Sequence, residues 1–197
     1  MEIQFISGRQ LKEERQIIVS RLFVDGFYQW FQFFSKDNEK IAQAFQHSFV
    51  LDKFYFAVCD DKICGMAAYT DGKESPIHFQ RSNLIKHLGI YKGLIGSIAL
   101  KKEIENDEYP FEPDSRCGST EFITVDKNFR GMGIAYKLMD YMIANTDFDS
   151  YVLEVADTNS SAVKLYEKVG FKEFLTIPCK YPKQTGFHNY VYMKYQK

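Results

Sequence analysis

The sequence predicts a mixed α/β fold, and three observations lead there. Apolar patterns of period 2 and period 3.6 alternate along the chain instead of separating into blocks. The stretch "FYFAVCDDKICGMAAYTD" reads as an antiparallel hairpin turning at Asp60-Asp61. From Ser119 to Ala156 the order is strand, glycine turn, helix, strand, which is a parallel β-α-β unit.

Taken in order, "EIQFI" is a short first strand. Leu11, Ile18 and Leu22 follow at helical spacing. The aromatic run "FYQWFQFF" and the stripe Ile41, Ala44, Phe45 and Phe49 predict two further helical pieces before the hairpin. "GKESP" is a polar linker. In residues 77–118, Leu84, Leu88, Tyr91, Ile95 and Ile98 fit one helical face, interrupted by Gly89, Gly93 and Gly96. That segment runs into six acidic residues between Glu103 and Asp114. It is expected to be an insertion, at about 77–118, with its own helix and an acidic loop, inside one domain spanning 1–197. "STEFITV" is the next strand, and Ile134, Leu138, Tyr141 and Met142 line the following helix. "SYVLEVA" closes the β-α-β unit. Ala162, Leu165, Tyr166 and Val169 form the stripe of another helix, with Gly170 suited to its C-terminal cap. "FKEFLTI" and "NYVYMKY" are late strands.

A chain of 197 residues with 45% hydrophobic residues has enough apolar surface for one sizeable core. The net charge of −1 carries no basic excess, so no nucleic-acid partner is expected. No signal-peptide pattern opens the chain, and no uncharged apolar run reaches 18 residues, so no membrane partner is expected either. Cys59, Cys64, Cys117 and Cys179 form no C-x-x-C pair and have no histidine at zinc-finger spacing. They read as free thiols in a cytoplasmic protein, with no metal.

The glycines of "VDKNFRGMGIAYKLMDYM" call for a reason. Inside a helix each costs about 1 kcal/mol relative to alanine. At a helix N-terminus they let an anion approach unpaired backbone N–H groups, and Arg130 adds a bidentate donor. A P-loop would need Lys-Ser/Thr after the last glycine, where Ile134 and Ala135 stand. A dinucleotide fingerprint would need a third glycine, where Tyr136 stands.

A third pattern fits better. Arg130-x-x-Gly133-x-Ala135, after a strand ending Ile123-x-Val125, resembles the acetyl-CoA signature R/Q-x-x-G-x-G/A. That signature belongs to the GNAT superfamily, the Gcn-related N-acetyltransferases. "DTNSSAVKLYEKVGF" is similar to the same family's N-x-x-A-x-x-L-Y-x-x-x-G-F block, with Asn159, Ala162, Leu165, Tyr166, Gly170 and Phe171 in place. The resemblance covers Ser119 to Phe174 firmly and the N-terminal elements loosely. It departs at Lys127, where the family often has proline.

The resemblance implies a mostly antiparallel central sheet flanked by helices, with the helical insertion outside the common core. It implies acetyl-CoA as co-substrate. Backbone groups of Ile123, Thr124 and Val125 would pair with the pantetheine arm. Arg130, Gly131, Met132, Gly133, Ile134, Ala135 and Tyr136 would hold the pyrophosphate. Asn159, with Ala162 beside it, would meet the pantetheine, although asparagine also suits a helix N-cap. Tyr166 resembles the general acid for the departing thiolate, and its plainer reading is a core tyrosine. Glu121 is the candidate general base, with Glu154 and His188 weaker. The implied activity is transfer of an acetyl group to a primary amine of a small molecule or peptide. No cysteine sits in a motif suggesting a covalent nucleophile, so direct attack in a ternary complex is expected. The alternative is a non-catalytic acyl-CoA-binding sensor, and a third reading is a nucleotide-binding enzyme. The acidic stretch is a solvated loop or an attractor for a cationic acceptor. Lys86, His87 and Lys92 argue against insertion of the glycine-bearing helix into a bilayer, which favours a wall or lid of the acceptor cleft. The assembly is expected to be a monomer or homodimer.

Overall fold

In the computed structural model, which describes residues 2–105 and 109–197, the hairpin is tied by two left-handed aspartates. Asp60 and Asp61 have φ of 46° and 61°, the pair of positive values that a two-residue type I′ turn demands. Asp107 and Glu108 of the acidic stretch lie outside the described residues. The chain runs β1 (Ile3–Ser7), α1 (Gln16–Phe31), α2 (Asn38–Phe45), β2 (Phe54–Cys59) and β3 (Lys62–Thr70). It continues with α3 (Arg81–Leu88), α4 (Ile90–Leu100), β4 (Cys117–Val125), α5 (Ile134–Ala144) and β5 (Ser150–Ala156). The last elements are α6 (Ser160–Val169), β6 (Lys172–Pro178), the single turn α7 (Pro182–Thr185) and β7 (Asn189–Gln196).

Among the described residues the strands form one sheet in the order β1-β2-β3-β4-β5-β7-β6. Each neighbouring pair is antiparallel except β4–β5. The mixed, mostly antiparallel sheet flanked by helices is therefore present, and the parallel pair is the one expected from the β-α-β unit.

One local expectation changes. Leu11 lies between two short 3-10 turns, and α1 starts only at Gln16. The aromatic run forms a second helical piece, set end to end with the first. It continues α1 through a kink at Phe27 (φ −122°, ψ 21°). Phe23 touches Phe27 and Phe31, four and eight residues on, at 5.1 and 5.3 Å between centroids, so one aromatic stripe carries the helix across the kink. The insertion also differs. Gly89, at φ 86°, divides the expected single helix into α3 and α4, and β4 begins at Cys117, inside the expected insertion boundary.

One face of the sheet is covered by α1 and α2, with Phe23, Phe31, Phe45, Phe54 and Phe56 fully or almost fully buried. On the other, α5 and α6 cover two smaller clusters, and Ile123 packs against both. Phe23 is the hub of the larger core: it also contacts Phe45, Phe49 and Phe122. Removing this ring leaves a cavity bordered by five aromatic neighbours. We expect Phe23→Ala to lower unfolding free energy by about 3–5 kcal/mol, read by urea denaturation. A loss under about 1 kcal/mol would show that α1 collapses into the space.

Candidate active site

The site begins with one extra residue in β4. Its register against β3 pairs Met66 with Thr124 and Ala68 with Glu121, so Ala67 faces both Phe122 and Ile123. This is a β-bulge, which bends a strand and interrupts its ladder. Phe122 occupies it at φ 48°, a region bulky side chains rarely enter, at a cost of about 1–2 kcal/mol. Its ring meets Phe23 and Phe27 edge-on at 5.5 and 6.1 Å. Two such contacts at about 0.5–1.5 kcal/mol each offset that cost.

The consequence is a gap in the sheet. β4 and β5 pair only over Cys117–Ser119 against Ser150–Val152. β4 stays with β3 as far as Val125, and β5 stays with β7 as far as Ala156. Residues 120–125 and 153–156 thus run on without pairing to each other, and their facing backbone groups are offered to another chain-like ligand. Ile123, Thr124 and Val125 all lie on this stretch.

The gap opens onto the glycine turn. Asp126 ties the turn down: its N–H donates to the Cys64 carbonyl at 2.9 Å, and its carboxylate accepts from the Asn128 N–H at 2.8 Å. Arg130 follows, exposed, with Nε donating to the Val125 carbonyl at 3.1 Å. Its other guanidinium N–H groups have no partner among the described residues. Gly131 and Gly133 stand at φ 80° and 73°, and nothing lies within 4 Å of where a Cβ would project from either. Gly133 is the N-cap of α5 and supplies no side-chain cap. The first-turn amides of α5, with the positive end of its dipole, therefore front open space. Met132 is exposed, Ile134 is buried, and Ala135 and Tyr136 are half-buried. This arrangement fits a pyrophosphate: uncapped amides, two glycines and an arginine around an open cradle.

On the other side of the gap, α6 starts where β5 ends. Asn159 caps α6, accepting from the Ala162 N–H at 3.3 Å and the Ser161 hydroxyl at 3.1 Å. Its side-chain NH₂ has no partner among the described residues, so the capping role leaves its donors available. Tyr166 is buried in the cluster of Met139, Leu153, Val155 and Phe171, at whose margin Ile123 and Ala162 also lie. Its hydroxyl has no hydrogen bond among the described residues. Burial pushes the phenol up to about 12, so it is a neutral donor across the physiological range.

Glu121 and Glu154 flank the gap. Each lies two residues beyond the last β4–β5 pair, Ser119↔Val152, which puts both on the same face of the sheet. Glu121 is half-buried and accepts from the Ser119 hydroxyl at 2.9 Å. Ser119 in turn shares a short hydrogen bond with the Tyr109 hydroxyl. Glu154 is exposed and accepts from the Tyr192 hydroxyl at 2.6 Å. Rings of Phe111 and Tyr109 stand 5.5 and 6.1 Å from Tyr192, forming an aromatic rim beside these carboxylates. The sequence did not reveal Ser119, Tyr109 or Tyr192, because their roles follow from strand register. Lys168 was missed too. Its ammonium stands 5.1 Å over the Tyr136 ring, which brings a cation from α6 to the first turn of α5. Its i, i+2 separation from Tyr166 hid it.

His188 is placed differently. It binds through its backbone, its N–H donating to Asp157 at 3.1 Å and its carbonyl accepting from Cys179 at 2.7 Å. All four cysteines are buried and unpaired. Among the described residues no cluster of three metal-ligating side chains occurs. A polar groove of about 620 Å³ lies between α1 and α2, but its Arg21 is held bidentately by Glu39 at 2.7 and 2.8 Å, and it shares no residue with the gap.

Comparison with known proteins agrees with this geometry. The Acetyltransferase (GNAT) family matches residues 21–171. N-alpha-acetyltransferase 30 of Xenopus laevis is 34% identical over 80 residues, a stretch that is 39% of this chain and 27% of that protein. The crystal structure of an N-acetyltransferase from Staphylococcus aureus Mu50 superposes with a TM-score of 0.59 at 17% identity, covering 99% of this chain and 100% of that one. The ribosomal-protein-S18-alanine N-acetyltransferase of Escherichia coli superposes with a TM-score of 0.57 at 14% identity, covering 99% and 94%. Since the family match takes in the bulge, the glycine cradle and α6 together, the chain belongs to the acetyltransferase (GNAT) family.

Proposed function

We propose that the whole chain is one domain that moves an acetyl group from acetyl-CoA to a primary amine, by direct attack in a ternary complex in the cytoplasm. The observation that carries this reading is the unpaired stretch of β4 leading straight into the uncapped, glycine-lined start of α5. Bound acetyl-CoA supplies an activated carbonyl whose C–S bond breaks as a C–N bond forms, one proton leaving nitrogen and one reaching sulfur.

The chain's own residues do the rest. Backbone groups of Ile123, Thr124 and Val125 align the pantetheine arm as an added strand, and the Asn159 side chain steadies it beside Ala162. Backbone N–H groups from Arg130 to Tyr136 hold the pyrophosphate, with the Arg130 and Lys168 cations nearby. Tyr166 donates a hydrogen bond to the charge that builds on sulfur. Its pKa of about 12 lies above that of a thiol, ordinarily near 8.5, so complete proton transfer to a released thiolate would run uphill. Tyr166 thus stabilises the leaving sulfur rather than supplying its final proton, which the released thiolate takes from water. Glu121 takes the amine proton, directly or through water, and the Ser119 hydroxyl orients its carboxylate.

The acceptor class is a peptide or small-molecule amine. The likeness to N-alpha-acetyltransferase 30 supports a peptide N-terminus. An α-amine with a pKa near 7.8 is neutral in roughly one molecule in seven at pH 7, against roughly one in 2,500 for an alkylammonium near 10.4. A single half-buried carboxylate suits the easier deprotonation.

Release of free CoA thiol, measured against a panel of peptide N-termini and small primary amines, tests this function. Turnover with at least one class is expected. Binding of acetyl-CoA with no thiol released across the panel would mean a sensor instead. We expect Tyr166→Phe to lower kcat at least about tenfold while the acetyl-CoA Kd stays within about threefold. Unchanged turnover would remove Tyr166 from the chemistry. Gly133→Ala meets no clash, yet forces alanine into a left-handed conformation at about 1–2 kcal/mol. Acetyl-CoA affinity, measured by calorimetry, is expected to fall about tenfold, and a Kd unchanged within about twofold would move the phosphate site elsewhere.

A further inference from the structure

The α4 helix is built inside out. Its inward face is glycine: a Cβ at Gly93 would lie 2.6 Å from the Ile85 backbone, and one at Gly96 would lie 2.5 Å from the Phe34 ring. Its outward face carries the large apolar side chains. Ile90, Tyr91 and Ile98 are 71%, 75% and 72% exposed, and Ile95 is exposed as well. Positions i, i+1, i+5 and i+8 share one side of a helix, so this is a continuous stripe. Phe33, 61% exposed, extends it, since Lys92 reaches across to its ring at 6.0 Å and to the Phe34 carbonyl at 2.8 Å. The sequence pattern placed Tyr91, Ile95 and Ile98 on one helical face. The structure turns that face outward, because the glycines permit closer packing than the large residues do.

The charge around the stripe is one-sided. Residues 81–102 hold Arg81, Lys86, Lys92, Lys101 and Lys102 and no Asp or Glu, in a chain whose net charge is −1. The first acidic residues after them are engaged: Glu103 pairs with Lys102 at 3.1 Å, and Glu105 turns inward to accept from the Phe79 N–H at 2.6 Å. An apolar stripe with a tyrosine and a basic rim is the pattern of a helix lying in the interface of an anionic bilayer. At 11 residues α4 is about 16 Å long, too short to span a hydrocarbon core of about 30 Å. A second copy across a twofold axis would set basic rim against basic rim. We propose that the α3–α4 hairpin docks this protein on an anionic lipid surface, with Ile90, Tyr91, Ile95 and Ile98 entering the headgroup boundary and Arg81, Lys86 and Lys101 contacting lipid phosphates. The lysines that oppose burial in a bilayer are what a surface-bound helix needs at its rim. No residue of the acetyl-transfer site takes part.

Flotation of the full-length protein with phosphatidylcholine vesicles, with and without about 30% phosphatidylglycerol, tests the proposal at low salt of about 50 mM. The bound fraction is expected to be at least about tenfold higher on the anionic vesicles and to fall as salt rises. The double variant Tyr91→Ser/Ile98→Ser, altered only at exposed positions, should lose at least about tenfold in binding with its circular dichroism and thiol-release activity unchanged. Lys101→Glu/Lys102→Glu should abolish the preference for anionic vesicles. Absence of flotation on anionic vesicles, or binding indifferent to both double variants, overturns the proposal. If the wild type fails to float but forms a dimer by light scattering that Tyr91→Ser/Ile98→Ser converts to monomer, the stripe belongs to a second copy.

Discussion

One residue too many in β4 governs the site. The bulge at Phe122 stops β4 from continuing its ladder with β5, yet both strands remain held by their outer neighbours, β3 and β7. A sheet otherwise paired across seven strands thereby acquires an internal edge. Edges normally sit at the rim of a sheet, where they invite unwanted pairing. This one is interior, narrow and terminated by a helix N-terminus, so it favours a ligand that is part strand mimic and part anion.

The strained residue is maintained by packing far from it in sequence. Phe122 leans on Phe23 and Phe27, and the same helix brings Gly26 so close to Thr124 that a Cβ there would lie 2.2 Å from its Oγ1. The aromatic density of α1 and its Gly26 therefore have one cause, close contact with β4 at the bulge and just beyond it. The other face is arranged differently. There α5 and α6 meet over Ile123, and the two helices bring the glycine cradle and Tyr166 to opposite sides of the gap.

Much of this geometry was legible in the sequence where it depends on local motifs. Gly131, Gly133, Asn159 and Tyr166 occupy turns, caps and stripes whose conformations depend on near neighbours. The hairpin, the parallel pair and the mixed sheet followed from short-range patterns as well. What stayed hidden depends on register or on which side of a helix faces inward. The bulge is one residue in a strand of ordinary composition. Glu121 and Glu154 become neighbours only once Ser119 is paired with Val152. Hydrophobic periodicity grouped Tyr91, Ile95 and Ile98 on one helical face without fixing which way it points. In α4 the close approach allowed by Gly93 and Gly96 turns that face outward.

In the proposed function the backbone of β4 beyond the bulge receives the pantetheine arm. Amide hydrogen exchange of the folded protein, with and without saturating acetyl-CoA and with ATP as control, is the test to make first. Acetyl-CoA is expected to slow exchange in residues 121–125 and 131–136 by about tenfold or more, while ATP leaves 121–125 unchanged. Protection confined to the glycine turn, or equal protection by both ligands, would contradict it and leave the gap in the sheet without a ligand.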